Sequence, residues 1–245
     1  MIFARNPLGR SIRAAPTLSA TCPDCAGQLV PKCGEIVTWH WAHRAQPGAN
    51  CHYRPETAWH LRWKEWALNH GCRVEVVLVP GHRADIVTPS GLVVELQSEG
   101  LDGQEVRERE EAYKRMLWIY RVSPEQKERL HWGKEVAGGL GFWYKRGPKL
   151  LAIPTRRVYL DLHEGEEDEL LRVRLTLKEK QHPQYGPYQR LLGIAWSEDA
   201  YAVFELDKQT ARVRALLAHL YANRDKEWYQ WVVDHRLERI GQDQI

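Results

Sequence analysis

The spacing of apolar positions changes several times along the chain, and each change marks an element. Between Pro55 and His70, the residues Trp59, Trp63, Trp66 and Ala67 recur at three and four, the repeat of one buried helix stripe. Pro55 suits the first turn of that helix, and Gly71 its end. Arg73 to Val79 is a β-branched apolar run bounded by Gly71 and Pro80-Gly81, which predicts a strand. His82 to Ser98 alternates on either side of Pro89-Ser90-Gly91, the pattern of two short strands and a turn. Residues 102–116 are charged and lack a breaker after Gly103, so they read as an exposed helix. Leu117 to Val122 reads as a buried strand. Over residues 56–122 the order is helix, three strands, helix, strand, which places the chain in the α/β (α+β) class.

The flanks are less periodic. Residues 1–20 read as a short strand or arm, and Ile36 to Trp41 as a strand. After the core, residues 124–131 predict a helix and the Gly-rich stretch 133–148 a loop. Arg157–Leu162, Leu170–Leu177 and Leu191–Leu206 predict strands, the last a hairpin turning at Glu198-Asp199. The acidic run Glu164 to Glu169 reads as a solvated turn, and Lys208 to Ile240 as a long helix. The expected division is a lobe at 1–54, a core at 55–123 and an extension at 124–245.

Composition narrows the setting. No apolar run approaches the roughly 18 residues of a membrane span. The N-terminus has no apolar stretch followed by a cleavage site, so the expectation is a cytoplasmic protein with reduced cysteines and no membrane partner. A net charge of +3 does not by itself call for a polyanion, but its distribution is uneven. Lys127 to Arg157 holds eight basic residues against two acids, with Trp132, Phe142, Trp143 and Tyr144 among them. Cations neutralise phosphates and aromatic rings stack on bases; the same residues also suit a solvated basic surface over core aromatics. Arg5, Arg10 and Arg13 are scattered charges on a terminal arm.

Two sets of residues carry candidate chemistry. Cys22 and Cys25, in Thr-Cys-Pro-Asp-Cys, have the spacing that puts two thiolates on one zinc ion. Cys33, His40, His43 and Cys51 are the candidates for the second pair. The favoured set is Cys22, Cys25, His43 and Cys51, with His40 as the alternate to His43. A redox role for the Cys-x-x-Cys would need a thioredoxin-like βαβ context, and none follows. Such a zinc would be structural, because a lobe of this size buries too little surface alone. Cys72 precedes an apolar strand and reads as a core thiol.

The second set lies on the 82–98 hairpin. With period two, Arg83, Asp85 and Val87 share one strand face, and Val93, Glu95 and Gln97 share another. A carboxylate among apolar neighbours must be paired or bind a cation. Asp85 and Glu95 facing each other, with the Gln97 amide beyond, can hold Mg2+ through oxygen. The plainer alternative is that both acids are solvated or paired with Arg83 and Arg107. Glu56, His60 and Lys64 fall four apart, on one polar line of the first helix. That line also fits an exposed ion-pair ladder.

These pieces occur in a set order: the Cys-x-x-Cys lobe, His40-Trp41-Ala42-His43, the Glu56/His60/Lys64 helix, Arg83-Ala84-Asp85 and Glu95-Leu96-Gln97. Over about residues 3–122 this resembles the CoiA-like competence proteins, whose nuclease core belongs to the PD-(D/E)XK, or restriction-endonuclease-like, superfamily. The resemblance implies a restriction-endonuclease-like αβββαβ core with an N-terminal zinc-binding lobe, and the C-terminal β-rich and helical extension beyond it is read from the residue pattern alone. It implies a deoxyribonuclease dependent on Mg2+ or Mn2+, with Asp85 and Glu95 as metal ligands. Glu56, His60, Lys64 and Gln97 would complete the site, and Ser98 and Tyr113 match further pattern positions. Gln97 stands where many relatives have a Lys; a neutral amide cannot act as a base, and Lys64 could supply the missing charge. The implied partners are single-stranded, duplex or branched DNA, together with recombination or defence proteins. Two alternatives remain: an inactive nuclease fold that binds DNA as a recombination scaffold, and a zinc-lobe scaffold for protein partners.

Overall fold

The computed structural model describes residues 1–213 except 36, 48–50, 52–55, 99–101, 145–150, 152, 163–168 and 183–185, with the backbone alone at 175–192. The N-terminal lobe is a small sheet of β1 (Phe3–Arg5), β2 (Ser11–Arg13), β3 (Ala20–Thr21), β4 (Gln28–Lys32) and β5 (His40–His43), in the order β2-β1-β3-β4-β5. It closes over Met1, Ala4, Leu29 and Trp41. The strand expected from Ile36 to Trp41 begins instead at His40. Just before it, Trp39 turns outward with its indole N–H on the Gly34 carbonyl (3.2 Å), and His40 Nδ1 bonds the Thr38 carbonyl (2.8 Å). Local side-chain bonds of this kind compete with ladder pairing.

The core has the expected order. α1 (Ala58–Asn69) is followed by β6 (Arg73–Val79), β7 (His82–Val87), β8 (Val93–Gln97), α2 (Gly103–Tyr113) and β9 (Met116–Arg121). Thr57 caps α1, its hydroxyl accepting from His60 N–H at 3.4 Å, so the helix starts later than expected; Pro55 lies outside the described residues. Gly91, at φ 82°, makes the β7–β8 turn that Pro89-Ser90-Gly91 predicts. β9 pairs in parallel with β8, which requires the crossover that α2 provides.

The extension continues this sheet. α3 (Pro124–Lys127), β10 (Leu130–Val136), β11 (Gly139–Tyr144), β12 (Arg157–Asp161), β13 (Glu169–His182), β14 (Gly186–Asp199) and α4 (Ala200–Val203) follow in sequence. The strand order is β10-β11-β14-β13-β12-β9-β8-β7-β6, with β12 parallel to β9. Thus no sheet boundary falls at residue 123.

Three expectations here are corrected. The 133–148 loop is largely the β10–β11 hairpin, turning at Ala137 and Gly138, both at positive φ. Its glycines answer to packing: a Cβ on Gly139 would stand 2.6 Å from the Trp196 indole nitrogen. The predicted 124–131 helix is a single turn held by a Ser123–Gln126 capping box. Asp199 does not turn a hairpin; it caps α4, accepting from Tyr201 N–H at 2.9 Å, and β14 pairs back along the whole of β13. Residues 208–213 are helical, and the rest of the predicted terminal helix lies outside the described residues, as does most of the 164–169 run.

The central strands are apolar on both faces, as parallel sheets require. On one face Met116, Trp118 and Tyr120 pack with Val87, Val93, and Val106 and Tyr113 of α2. On the other, Leu117 and Ile119 pack with Ile86, Val94, Leu96, the α1 residues Trp59, Leu61 and Trp63, and Phe204. Cys72 is buried in this second layer. Among the described residues, no helix is long and apolar enough to cross a membrane.

Candidate functional site

In the lobe, the turn from Cys22 to Gly27 sets the first two thiols. Ala26 adopts φ 56° and donates to the Cys22 carbonyl (2.9 Å), while Cys22 donates to Gly27 (2.8 Å). A Cβ on Gly27 would stand 3.2 Å from Cys25 Sγ, so this glycine lets the turn close on the sulfur. Cys22, Cys25, His43 and Cys51 place one ligand atom each within 4.8 Å of one another, and among the described residues they form the group able to share an ion. Cys22 Sγ lies 3.8 Å from Cys51 Sγ, and His43 Nε2 lies 3.4 Å from Cys25 Sγ and 3.6 Å from Cys51 Sγ. A tetrahedron with zinc–sulfur bonds of about 2.3 Å has edges of about 3.8 Å, so the set fits a metal such as zinc. Hydrogen bonding from Gly27 N–H, then from His43, holds the Cys25 thiol at about 6, favouring the thiolate a metal needs. His40 is turned to Thr38 instead, so the alternate ligand stands outside the group. Cys33 also stands outside it.

In the core, β7 and β8 are ladder-paired at Val87–Val93 and Ile86–Val94. One step further the strands part into a fork. There Asp85 N–H donates to Glu95 Oε1 (3.3 Å), and Leu96 N–H donates to Asp85 Oδ2 (3.0 Å). The two acids thus face each other across the fork. Lys64, fully buried on α1, reaches into it. Its ammonium stands 2.5 Å from Glu56 Oε1, 3.0 Å from Asp85 Oδ1 and 3.4 Å from Glu75 Oε1. Burial opposes the Lys64 charge, but the carboxylates of Glu56, Asp85 and Glu75 outweigh it and raise its pKa well above the usual lysine value. Burial likewise pushes Glu56 up, and Lys64 with the Met1 amino group outweighs it, holding the carboxyl at about 2.

Glu95 is in the opposite condition. It is 1% exposed, and burial, then the charge of Asp85, push it up to about 8 against the pull of Arg109, whose guanidinium bonds Glu95 Oε2. Arg109 also pairs with Glu105 one turn back on α2 (3.2 Å). His60 donates from Nε2 to the Leu96 carbonyl (3.2 Å), so its Nδ1 accepts from the Thr57 hydroxyl (2.9 Å). Burial lowers its pKa, against the charge of Asp85, and it is a neutral anchor of α1 on β8. Gln97 lies two residues beyond Glu95 on β8, half-buried. The Tyr113 hydroxyl is buried near Glu95 and Arg109 without a hydrogen-bond partner, and burial raises its pKa.

Residues 17–54 match the family model of the competence protein CoiA, N-terminal domain. The matched stretch contains all four members of the metal-binding group. No curated protein and no solved structure matches the chain. The N-terminal lobe is tied to the core beside the acidic fork. Asp24, between the two cysteines of the turn, pairs with Arg83 on β7 at 3.3 Å, and Arg13 of β2 pairs with Glu65 of α1.

Two residues of the fork escaped the sequence reading. Glu75 is the lone acid in the apolar run Arg73–Val79, a signal that the pattern did contain. Arg109, rather than Arg107, meets Glu95, because it shares the inward side of α2 with Val106 and Tyr113 while Arg107 is exposed. The line Glu56, His60, Lys64 is also not a helix face throughout. Glu56 precedes the Thr57 cap, and Lys64 is interior rather than part of an exposed ladder.

Proposed function

We propose that the fork is the active site of a metal-dependent DNA nuclease. The observation that carries this is the convergence of Glu56 and Asp85 on a buried lysine, with Glu95 facing Asp85 where β7 and β8 part. The αβββαβ order of residues 58–121, with acids on the second and third strands, supports likening the core to the PD-(D/E)XK superfamily.

The fork fits a divalent cation. Two oxygen-bearing acids face each other, and one of them is held up at about 8 by burial and by the charge of the other. Mg2+ or Mn2+ would be held by Asp85 and Glu95. When bound, such an ion acidifies a water and stabilises charge on a phosphate. The chain's own residues do the rest. Glu95 would have to be deprotonated to serve as a ligand. Lys64, 3.0 Å from Asp85, supplies the fixed positive charge that Gln97 lacks. Gln97 orients a nucleophilic water by hydrogen bonding, and His60 holds α1, and so Lys64, against β8. The CoiA match supports a competence-related function; on this reading the substrate would be DNA taken up in natural transformation, with recombination proteins as partners in the cytoplasm, and a defence role is the other setting for such a nuclease.

The test is cleavage of labelled single-stranded, duplex and branched DNA with Mg2+ or Mn2+. Asp85→Ala should lower the rate by at least about 100-fold. Cleavage undiminished by that change would end the proposal. One observation favours a second reading, a DNA-binding module without turnover: Lys64 and Arg109 already neutralise the two facing acids. That reading expects salt-sensitive DNA binding that survives loss of both Asp85 and Glu95.

A further inference from the structure

We propose that Glu75 is a positioning residue of the fork, which holds the Lys64 ammonium beside Asp85 by tying it to the first strand of the N-terminal lobe. The proposal rests on the fork being the reaction centre. In the β6–β7 register Glu75 lies between the pairs Val74–Ile86 and Val76–Ala84, level with Asp85. Its backbone adopts φ 55°, a conformation that a glutamate in a strand does not take by preference. Such a conformation persists only where the surroundings fix it.

The surroundings here are specific. Glu75 Oε1 accepts from Ile2 N–H at 2.8 Å, and Oε2 accepts from Phe3 N–H at 3.1 Å. The same Oε1 stands 3.4 Å from Lys64 Nζ. The side chain is 5% exposed. A continuous line therefore runs from the backbone of β1, through one carboxylate, to the ammonium and on to Asp85.

The consequence concerns where Lys64 sits. Its shortest contact is Glu56, at 2.5 Å, which precedes the cap of α1. Glu75 and Asp85 pull from the sheet side. With Glu75 neutral, the balance shifts toward Glu56, and the ammonium leaves Asp85. Loss of Glu75 should then slow the chemical step without weakening DNA binding.

The experiment uses the full zinc-loaded chain and two variants. Glu75→Gln keeps the shape and an amide-accepting oxygen; Glu75→Gly suits the positive φ and removes the side chain. Trace acetylation with acetic anhydride, read by mass spectrometry, reports Lys64 accessibility, with circular dichroism confirming the fold. Lys64 should be acetylated about tenfold faster in either folded variant than in the wild type. In cleavage, Glu75→Gln should lower kcat about tenfold at unchanged KM, and should cost nothing further in a Lys64→Ala background. Lys64 equally protected in the variants and the wild type, or an undiminished Glu75→Gln effect in the Lys64→Ala background, overturns the proposal. A wild type that cuts no DNA, with Lys64 exposed on loss of Glu75, instead removes the nuclease reading and supports the tie.

Discussion

At the Cys22/Cys25/His43/Cys51 group, four ligand atoms point at one another, and three of them are sulfurs with at least one thiol poised to ionise. At the fork, each carboxylate faces a cation of the chain itself: Glu56, Glu75 and Asp85 meet Lys64, and Glu95 meets Arg109. The two clusters are joined by Asp24–Arg83 yet differ in what a metal does for them. The first gathers three thiols and an imidazole that a bound ion would hold together, in a lobe whose core is a handful of residues around Trp41. There a metal would belong to folding. The second already pairs each acid with a cation of the chain and sits in a two-layered core, so its folding should not depend on a divalent ion. Any ion entering it must compete with Lys64 and Arg109. On the proposed reading, a structural and a reactive metal site would differ in whether the protein brings its own cations.

The largest effect should follow from attacking the first cluster. Stripping zinc with a chelator, or Cys25→Ser, should cost the lobe more than about 5 kcal/mol. Metal analysis should find about one zinc per chain before treatment. Hydrogen exchange should then show β1–β5 losing protection while β8 and β9 keep theirs. Equal protection with and without zinc would abolish the contrast between the clusters. Next in size is Lys64→Ala, which leaves three carboxylates facing one another. We expect a loss of about 3–5 kcal/mol, measured by urea denaturation. Ca2+, a divalent ion with little catalytic competence, should restore more stability to this variant than to the wild type, because it replaces the missing charge. A variant indifferent to Ca2+ would mean that the fork does not admit cations.

Much of this was legible in the sequence, and the failures have physical causes. β9 could be read because Met116–Tyr120 is apolar without interruption, as burial on both faces demands. The β7–β8 turn was announced by Pro89-Ser90-Gly91, and the metal group by the Cys22–Cys25 spacing. The fork itself was half legible. Alternation put Asp85 and Glu95 on matching faces, but the parting of the strands depends on side-chain bonds to backbone amides that no local pattern encodes. The spacing of Lys64 leaves a site residue and a member of a solvated row equally open, because four-residue spacing is the same whether the row faces water or three buried acids. Composition presents the β10–β11 hairpin as a loop because Gly138 and Gly139 serve a turn and a close indole contact, needs that look like looseness in the sequence alone.

The smallest effect is also the sharpest test of the fork, and its sign follows from Glu95. This carboxyl keeps its proton up to about pH 8 in the folded chain, against an ordinary value near 4.5 when unfolded. Its contribution to stability is therefore present below the unfolded value and is lost as pH rises through about 8. A divalent ion needs the carboxylate, so binding must expel that proton. Apparent affinity for Mn2+, measured by calorimetry or electron paramagnetic resonance, should tighten about tenfold per pH unit below that point and level off above it. Glu95→Gln has no proton to release and should bind weakly with a flat profile. A wild-type affinity that does not change between about pH 6 and 8 would place the ion away from Glu95 and leave that acid a partner of Arg109 alone.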